Sequence, residues 1–207
     1  MMTAFKKYLI ISFVALVSLL YSNRAQSQLF FIGLEGGATY SWFNSPGLDN
    51  IFTSDGWGWN MGFFARYGKK TYLQFGFDWT RSKNDFTIHI FDEKFSEKIE
   101  FHNFDFSIKY GYNFFYSPMF KLKVHAGPFI GRSFLFSGNE FEFSSDDFKN
   151  PQWGIISGLG FQFMNFVADI EYSYHFTDQF KPVVVQDQEF KFGSNLQLIT
   201  IKVGFMF

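Results

Sequence analysis

The chain has 207 residues, of which 24% are aromatic and none is cysteine, and its formal net charge is −1. This charge balance makes nucleic acid an improbable partner, and the lack of cysteine excludes disulfides and thiolate metal sites. Abundant aromatic residues with a mean hydropathy of −0.05 argue against a bundle of membrane helices and favour strands that alternate apolar and polar residues.

The first residues are typical of a secretory signal peptide. Two lysines precede an apolar run from Tyr8 to Tyr21, and small and polar residues follow it as far as Ser27. A run of about 14 apolar residues is shorter than the ~20 that a membrane-spanning helix needs. We therefore predict that residues 1–27 are cleaved and that residues 28–207 form one domain, with 15 basic and 19 acidic residues.

Segments with a period of two residues fill the remainder of the chain. We predict eight strands at about 29–43, 57–67, 71–82, 99–114, 120–136, 152–163, 166–176 and 195–207. Tight turns alternate with long loops at 44–56, 83–98, 137–151 and 177–194. This asymmetry is typical of outer-membrane barrels, which have short periplasmic turns and long external loops. The sequence therefore predicts an all-β fold, an eight-stranded antiparallel up-and-down transmembrane barrel in the cell outer membrane of a Gram-negative bacterium, with both termini in the periplasm.

Residue parity separates two faces of these strands. Aromatic and aliphatic residues occupy one face, and glycines and polar residues occupy the other. The charged residues of the second face are Glu35, Arg66, Asp78, Asp105, Lys109, Lys123, Asp169, Glu171 and Lys202. A soluble barrel with an apolar interior has the same alternation, but the signal peptide and the aromatic strand ends favour the lipid bilayer outside.

The charged face supports two interpretations. The charges could line a narrow selective pore, or they could pair with one another and fill the interior. An eight-stranded barrel has an interior that side chains fill, and buried charges need partners. We therefore predict a side-chain-filled lumen with a polar network.

The last strand has an apolar face that ends on an aromatic residue. Its members are Ile199, Ile201, Val203, Phe205 and Phe207. This face is predicted to contact lipid. It also resembles the signal that the barrel assembly machinery recognises, so we expect that machinery to be a partner.

Several runs resemble a known family in order and spacing. They are VHAGPFIGRSFLF (124–136), WGIISGLGFQF (153–163), ADIEYSYHFTD (168–178) and LQLITIKVGFMF (196–207), and the opening LFFIGLEGGATYSWF (29–43) carries a Gly-Gly pair. The family is the outer-membrane β-barrel domain of Bacteroidota, a group of PorT-like, porin-type small barrels. The resemblance implies the same barrel fold and allows an accessory role in protein secretion.

Candidate chemistry is sparse. His175 with Asp178, or His89 with Asp85 and Asp92, could act as a base and its orienting acid at the outer rim. However, no serine stands in a nucleophile context and no histidines show metal-ligand spacing. We therefore predict no enzymatic activity, no cofactor and no metal.

The long loops contain apolar segments that support two interpretations. They could bind a protein or glycan, or they could pack together and close the mouth of the barrel. We expect a monomer with a surface, structural or partner-binding role. The alternatives are a narrow porin or secretion accessory and, third, an enzyme at the outer rim.

Overall fold

A computed structural model of the chain describes residues 29–44, 51–90, 93–135, 148–181, 183–185, 188–190 and 195–207. The predicted signal peptide, residues 1–27, lies outside this part. Among the described residues, no helix has the length and apolar character needed to cross a membrane.

The described residues form a closed antiparallel barrel. The strands are β1 (Phe30–Asn44), β2 (Ile51–Gly68), β3 (Thr71–Ile90), β4 (Glu93–Tyr116), β5 (Phe120–Leu135), β6 (Gln152–Phe163), β7 (Phe166–Asp178), β8 (Val183–Val185), β9 (Gln188–Phe190) and β10 (Asn195–Met206). The order around the barrel is β1-β10-β7-β6-β5-β4-β3-β2, and β8 pairs with β9 in a separate two-stranded sheet. The pairing of β1 with β10 closes the barrel. The predicted eight-stranded fold is therefore confirmed.

Three strands are longer than predicted, and each is longer on the side of the long loops. β2 begins at Ile51 instead of residue 57, β3 continues to Ile90 instead of residue 82, and β4 begins at Glu93 instead of residue 99. These extensions lie beyond the residues that pair with β1 and β5, so they are outside the closed wall. The alternation of apolar and polar residues continues into the β3 extension, at Phe86, Ile88 and Ile90, so the predicted strand ended before its pattern did.

The outer surface of the barrel is apolar. Leu34, Ile201 and Val203 expose 59%, 56% and 65% of their surface, and they alternate with buried polar residues on the same strands. Aromatic rings are grouped on this surface toward the loops, where Trp59 and Trp79 lie 4.8 Å apart between ring centres. This distribution is the reverse of that in a soluble barrel and matches a lipid-facing band with an aromatic border.

The barrel has two different ends, which we call the turn end and the loop end. Short connections join β2 to β3, β4 to β5 and β6 to β7 at the turn end. At the first of these, Gly68 has a φ of 120°, which favours glycine. Leu29 and Phe207 lie at the same end, because the Gly68 amide donates to Leu29 O and the Phe207 amide donates to Ile32 O. The loop end carries the extended parts of β2, β3 and β4.

Candidate functional site

Lys202 is the centre of a charged cluster inside the barrel. Its Nζ lies 3.0 Å from Glu35 Oε1, 2.7 Å from Asp78 Oδ1 and 2.9 Å from Glu171 Oε2. The four residues come from β1, β3, β7 and β10, and each is buried. One ammonium group therefore joins three carboxylates across the lumen.

Glu171 extends the cluster to two further side chains. Lys109 Nζ lies 2.5 Å from Glu171 Oε1, and His125 Nε2 lies 2.8 Å from the same oxygen. A carboxylate oxygen that accepts from both groups fixes their positions and satisfies its own hydrogen-bonding capacity. The cluster thus spans from β4 and β5 to β10.

A second ion pair lies beside the first cluster. Lys123 Nζ donates to Asp169 Oδ2 at 2.7 Å, and both residues are buried. The glycine opposite them leaves room for this contact, because a Cβ at Gly160 would lie 2.0 Å from Asp169 Oδ1. The glycines that alternate with the charges along the strands therefore make space for long polar side chains in a narrow barrel.

Two of the predicted interior charges have no ion-pair partner among the described residues. Arg66 bonds to the neutral amides Gln74 and Gln162, and its guanidinium lies 4.4 Å from the ring centre of Tyr72. Asp105 is buried opposite Asp78 on the neighbouring strand, and its Oδ1 has no hydrogen-bond partner. The structure thus brings seven of the nine charges into ion pairs and leaves Arg66 and Asp105 outside them.

An apolar cluster closes the lumen at the loop end. Its buried members are Phe43, Ile99, Phe101, Phe148, Phe180, Leu196 and Leu198. The rings of Phe148 and Phe180 lie 5.3 Å apart, and the ring of Phe43 lies 5.8 Å from that of Phe101. Phe148 and Phe180 belong to the segments just before β6 and just after β7. Residues of two loops therefore fold into the mouth of the barrel.

Hydrogen bonds hold these two loop segments together. Phe148 and Phe180 form an isolated β-bridge, and the Lys149 amide donates to Gln179 O at 3.1 Å. Asn150 fixes the first segment to the wall, since it accepts from the Ser133 amide and donates to Ser133 O, each at 2.9 Å. Phe180 belongs to a loop segment for which the sequence left open either binding or closure, and the structure places this residue in the closure.

A smaller apolar cluster lies at the turn end. Phe64, Val167 and Met206 are buried there, and Phe31 packs against them. The lumen is consequently apolar at both ends and charged in the middle. Among the described residues, the charged middle layer and both apolar clusters consist of buried side chains.

The histidine and acid proposed as a rim site do not meet. His175 faces the lumen, where it is fully buried, and its Nδ1 lies 3.1 Å from Leu196 O. Asp178 is three positions further along β7, hence on the opposite face, and lies 3.7 Å from Lys149 Nζ. The side chains of His89, Asp85 and Asp92 lie outside the described part. Among the described residues, no group of acids and histidines could hold a metal ion.

Sequence reasoning missed an ion pair on the outer wall, at the loop side of the aromatic border. Arg81 donates to both oxygens of Glu100, at 2.5 Å and 2.6 Å. The hydrogen bond from Arg81 is the main cause that lowers the pKa of Glu100 to about 2. Both residues lie within predicted strands, at 71–82 and 99–114. They are diagonal neighbours, because Glu100 is directly opposite Lys83, so the pair depends on a strand register that the sequence does not give.

The terminal strand has its apolar residues on the outer surface. Ile199, Ile201, Val203 and Phe207 are exposed, and Phe205 is partly covered by the rings of Phe166 and Phe207, at 5.2 Å and 5.1 Å. The strand pairs with β1 on one side and β7 on the other. These residues are therefore part of the apolar band.

The class of fold follows from these features. A closed eight-stranded barrel with an apolar outer band and a charged, filled interior has the fold of the small outer-membrane barrels. Neisserial surface protein A has this fold and superposes with a TM-score of 0.52 at 16% identity, over 87% of this chain and 98% of that chain.

Two other structures are similar at lower scores. OprG of Pseudomonas aeruginosa gives a TM-score of 0.49 at 12% identity, over 86% of this chain and 95% of that chain. Ail of Yersinia pestis gives 0.46 at 17% identity, over 87% of this chain and 100% of that chain. No protein-family model and no curated protein sequence matches the chain. The likeness therefore concerns the fold, and membership of the PorT-like family is not shown.

Proposed function

We propose that this protein is an outer-membrane barrel with a closed lumen, whose activity lies in binding a protein or glycan at its external side. The observation that carries the proposal is the three-layered interior. Charged residues around Lys202 fill the middle, and apolar clusters around Phe101 and Phe64 fill the two ends. A barrel filled in this way does not serve as a pore, so transport through the lumen is the weaker candidate.

The extended strands supply a surface for binding. β2 pairs with β3 as far as Ile51 and Ile88, and β3 pairs with β4 as far as Ile90 and Glu93. Within the described residues, β4 has no partner on its other side before Phe101. An unpaired strand edge offers backbone donors and acceptors to another chain. The projecting sheet therefore supports recognition outside the membrane.

Two measurements test this proposal together. The full mature barrel in planar bilayers should give no stable, reproducible openings, and such openings would favour the porin alternative. A variant in which residues 86–97 are replaced by a two-residue turn should keep the barrel folded. Cells that display the wild-type barrel should bind a member of a protein or glycan array, and cells that display the shortened barrel should not. Equal binding by both would contradict the role of the extension.

The proposal also covers how the protein is exported and inserted into the outer membrane. We infer that residues 1–27 direct export and are removed, that both termini lie in the periplasm, and that the barrel assembly machinery recognises the terminal strand. The exposed face from Ile199 to Phe207 supports this last inference. Phe207→Ala should reduce insertion into the outer membrane more than refolding into detergent. Equal loss in both assays would contradict a separate recognition role.

The family resemblance suggests one more candidate, an accessory role in protein secretion. It depends on the PorT-like sequence runs alone. The proteins secreted by a deletion strain provide the test, because an unchanged set would dismiss this role. We expect no enzymatic activity, since His175 and Asp178 face opposite sides of β7.

A further inference from the structure

The turn end of the barrel carries basic side chains without acidic ones. It is formed by residues 29–33, 64–74, 110–123, 160–168 and 203–207, all of which the structure describes. These segments contain Arg66, Lys69, Lys70, Lys121 and Lys123 and no Asp or Glu. Lys69 and Lys70 are exposed and Lys121 is partly exposed, so the accessible charged side chains of these segments are basic, although the whole chain is slightly acidic.

Among the described residues, most of these cations have no carboxylate partner. Lys123 is the exception, because it bonds to Asp169 deeper in the lumen. Arg66 is 97% buried, since its exposed fraction is 3%, and its hydrogen bonds go to neutral amides. Among the described residues, no carboxylate lies within ion-pair distance of Lys69, Lys70 or Lys121. The three lysines are thus left for an anion from outside the chain, while the buried Arg66 is held by its amide partners.

The lysines are held in defined positions around the rim. The Asn113 amide donates to Lys70 O at 2.8 Å, and the Asn113 side chain donates to Lys69 O, so the β2–β3 turn is fixed to β4. Lys70 Nζ lies 5.8 Å from the ring centre of Tyr112, and Lys121 Nζ lies 5.1 Å from that of Tyr116. The ammonium groups of Lys70 and Lys121 therefore lie over aromatic rings at the edge of the barrel.

The turn end also exposes aromatic residues. Tyr67 and Phe115 expose 58% and 50% of their surface. Aromatic rings of this kind lie at the headgroup level of a bilayer.

We propose that the turn-end rim, formed by Lys69, Lys70 and Lys121, binds the phosphodiester headgroup of an anionic phospholipid in the adjacent leaflet. This inference rests on the membrane location given by the proposed function. The leaflet places phosphate groups at the level of the exposed aromatic rings, where these three lysines have no carboxylate partner among the described residues. Charge complementarity therefore selects an anionic lipid over a zwitterionic one.

The test uses the mature barrel folded in neutral detergent. Short-chain phosphatidylglycerol and phosphatidylcholine with the same acyl chains are titrated at low salt, and bound lipid is counted by native mass spectrometry. The triple variant Lys69→Gln, Lys70→Gln and Lys121→Gln keeps Arg66 and should fold. Because each surface base contributes about 1 kcal/mol, its affinity for phosphatidylglycerol should fall on the order of 100-fold. The variant with only Lys69→Gln and Lys70→Gln, both in the exposed turn, should show about a 30-fold loss.

The matched control removes three bases from the loop end, by Arg81→Gln, Lys83→Gln and Lys149→Gln. It should bind phosphatidylglycerol as the wild type does. The proposal is overturned if the turn-end variants retain wild-type affinity, if the loop-end control loses as much, or if phosphatidylcholine binds as tightly as phosphatidylglycerol. Failure of the wild-type barrel to insert into any lipid vesicle would instead count against the membrane location itself.

Discussion

The middle of the lumen and its loop end are both closed by side chains, but by opposite means. In the middle, Lys202 contacts three carboxylates at 2.7 to 3.0 Å. At the loop end, Phe43, Phe101, Phe148 and Phe180 pack with ring centres 5.3 to 6.5 Å apart. The first closure depends on which charge faces which, and the second depends on how well rings fill a volume.

This difference decides what each region tolerates. A buried charge that loses its partner keeps its desolvation cost, so the charged layer should be sensitive to the removal of a single cation. An apolar cluster responds to volume, so a residue of similar size should be accepted. The charged layer and the apolar cluster should therefore respond differently to substitutions that preserve side-chain volume.

Lys202→Met should have the largest effect. It removes the cation shared by Glu35, Asp78 and Glu171 while nearly preserving side-chain volume. Breaking a buried ion pair on one side costs about 3–5 kcal/mol of unfolding free energy. Urea unfolding of the barrel in lipid vesicles measures this loss. Lys149→Met, at an exposed base of the loop end, is the control and should change stability by less than about 0.5 kcal/mol. Equal effects would remove the distinction between buried and exposed charge.

Phe148→Ala should follow, with a loss of about 3 kcal/mol, because it leaves a cavity among buried rings. Phe148→Leu keeps most of the volume and should lose less than about 1.5 kcal/mol. The same urea titration compares the two variants. If the leucine variant were as unstable as the alanine variant, the loop-end closure would depend on ring geometry, and its contrast with the charged layer would be smaller.

The sequence predicted the strands and the faces of their side chains better than it predicted which side chains contact one another inside the barrel. Parity placed Glu35, Asp78 and Lys202 on one face, because every second residue of a strand points to the same side. The partners within that face could not be derived, since they depend on strand stagger. Lys202 of β10, for example, reaches Asp78 of β3, which is not a neighbouring strand.

The sequence left the loop-end closure open as one of two interpretations and did not identify Phe148 as part of it. Phe148 and Phe180 lie outside the regular strands, so no period of two residues marks their direction. Their burial results from a bridge between two segments that are distant along the chain. The ion pair of Arg81 and Glu100 could not be derived either, because the two residues are diagonal neighbours on β3 and β4 and their contact depends on the strand register.

Glu100→Gln removes an ion pair on the outer side of the barrel. Its effect on the free energy of unfolding should be smaller than those of Lys202→Met and Phe148→Ala. The side chain of Glu100 is 23% exposed, so water screens its interaction with Arg81 and the expected loss at pH 7 is about 1 kcal/mol. The pKa of Glu100 lies at about 2, below its ordinary value of 4.5. The carboxylate therefore stabilises the fold above pH 4.5, and this contribution is lost as the pH falls from 4.5 through 2. Unfolding curves of wild type and variant should converge over that range.

Asp105→Asn should have the smallest effect and the opposite sign. Asp105 lies directly across from Asp78, but only Asp78 contacts Lys202, and Asp105 Oδ1 has no hydrogen-bond partner. An amide of the same shape removes an unpaired buried carboxylate, so stability should be unchanged or rise by up to about 1 kcal/mol. Asp78→Asn is the matched variant and should lose about 2 kcal/mol or more, because Lys202 then loses one of its carboxylates. If the two substitutions change the unfolding free energy equally in urea, contact with Lys202 is not what distinguishes Asp78 from Asp105 in the middle layer.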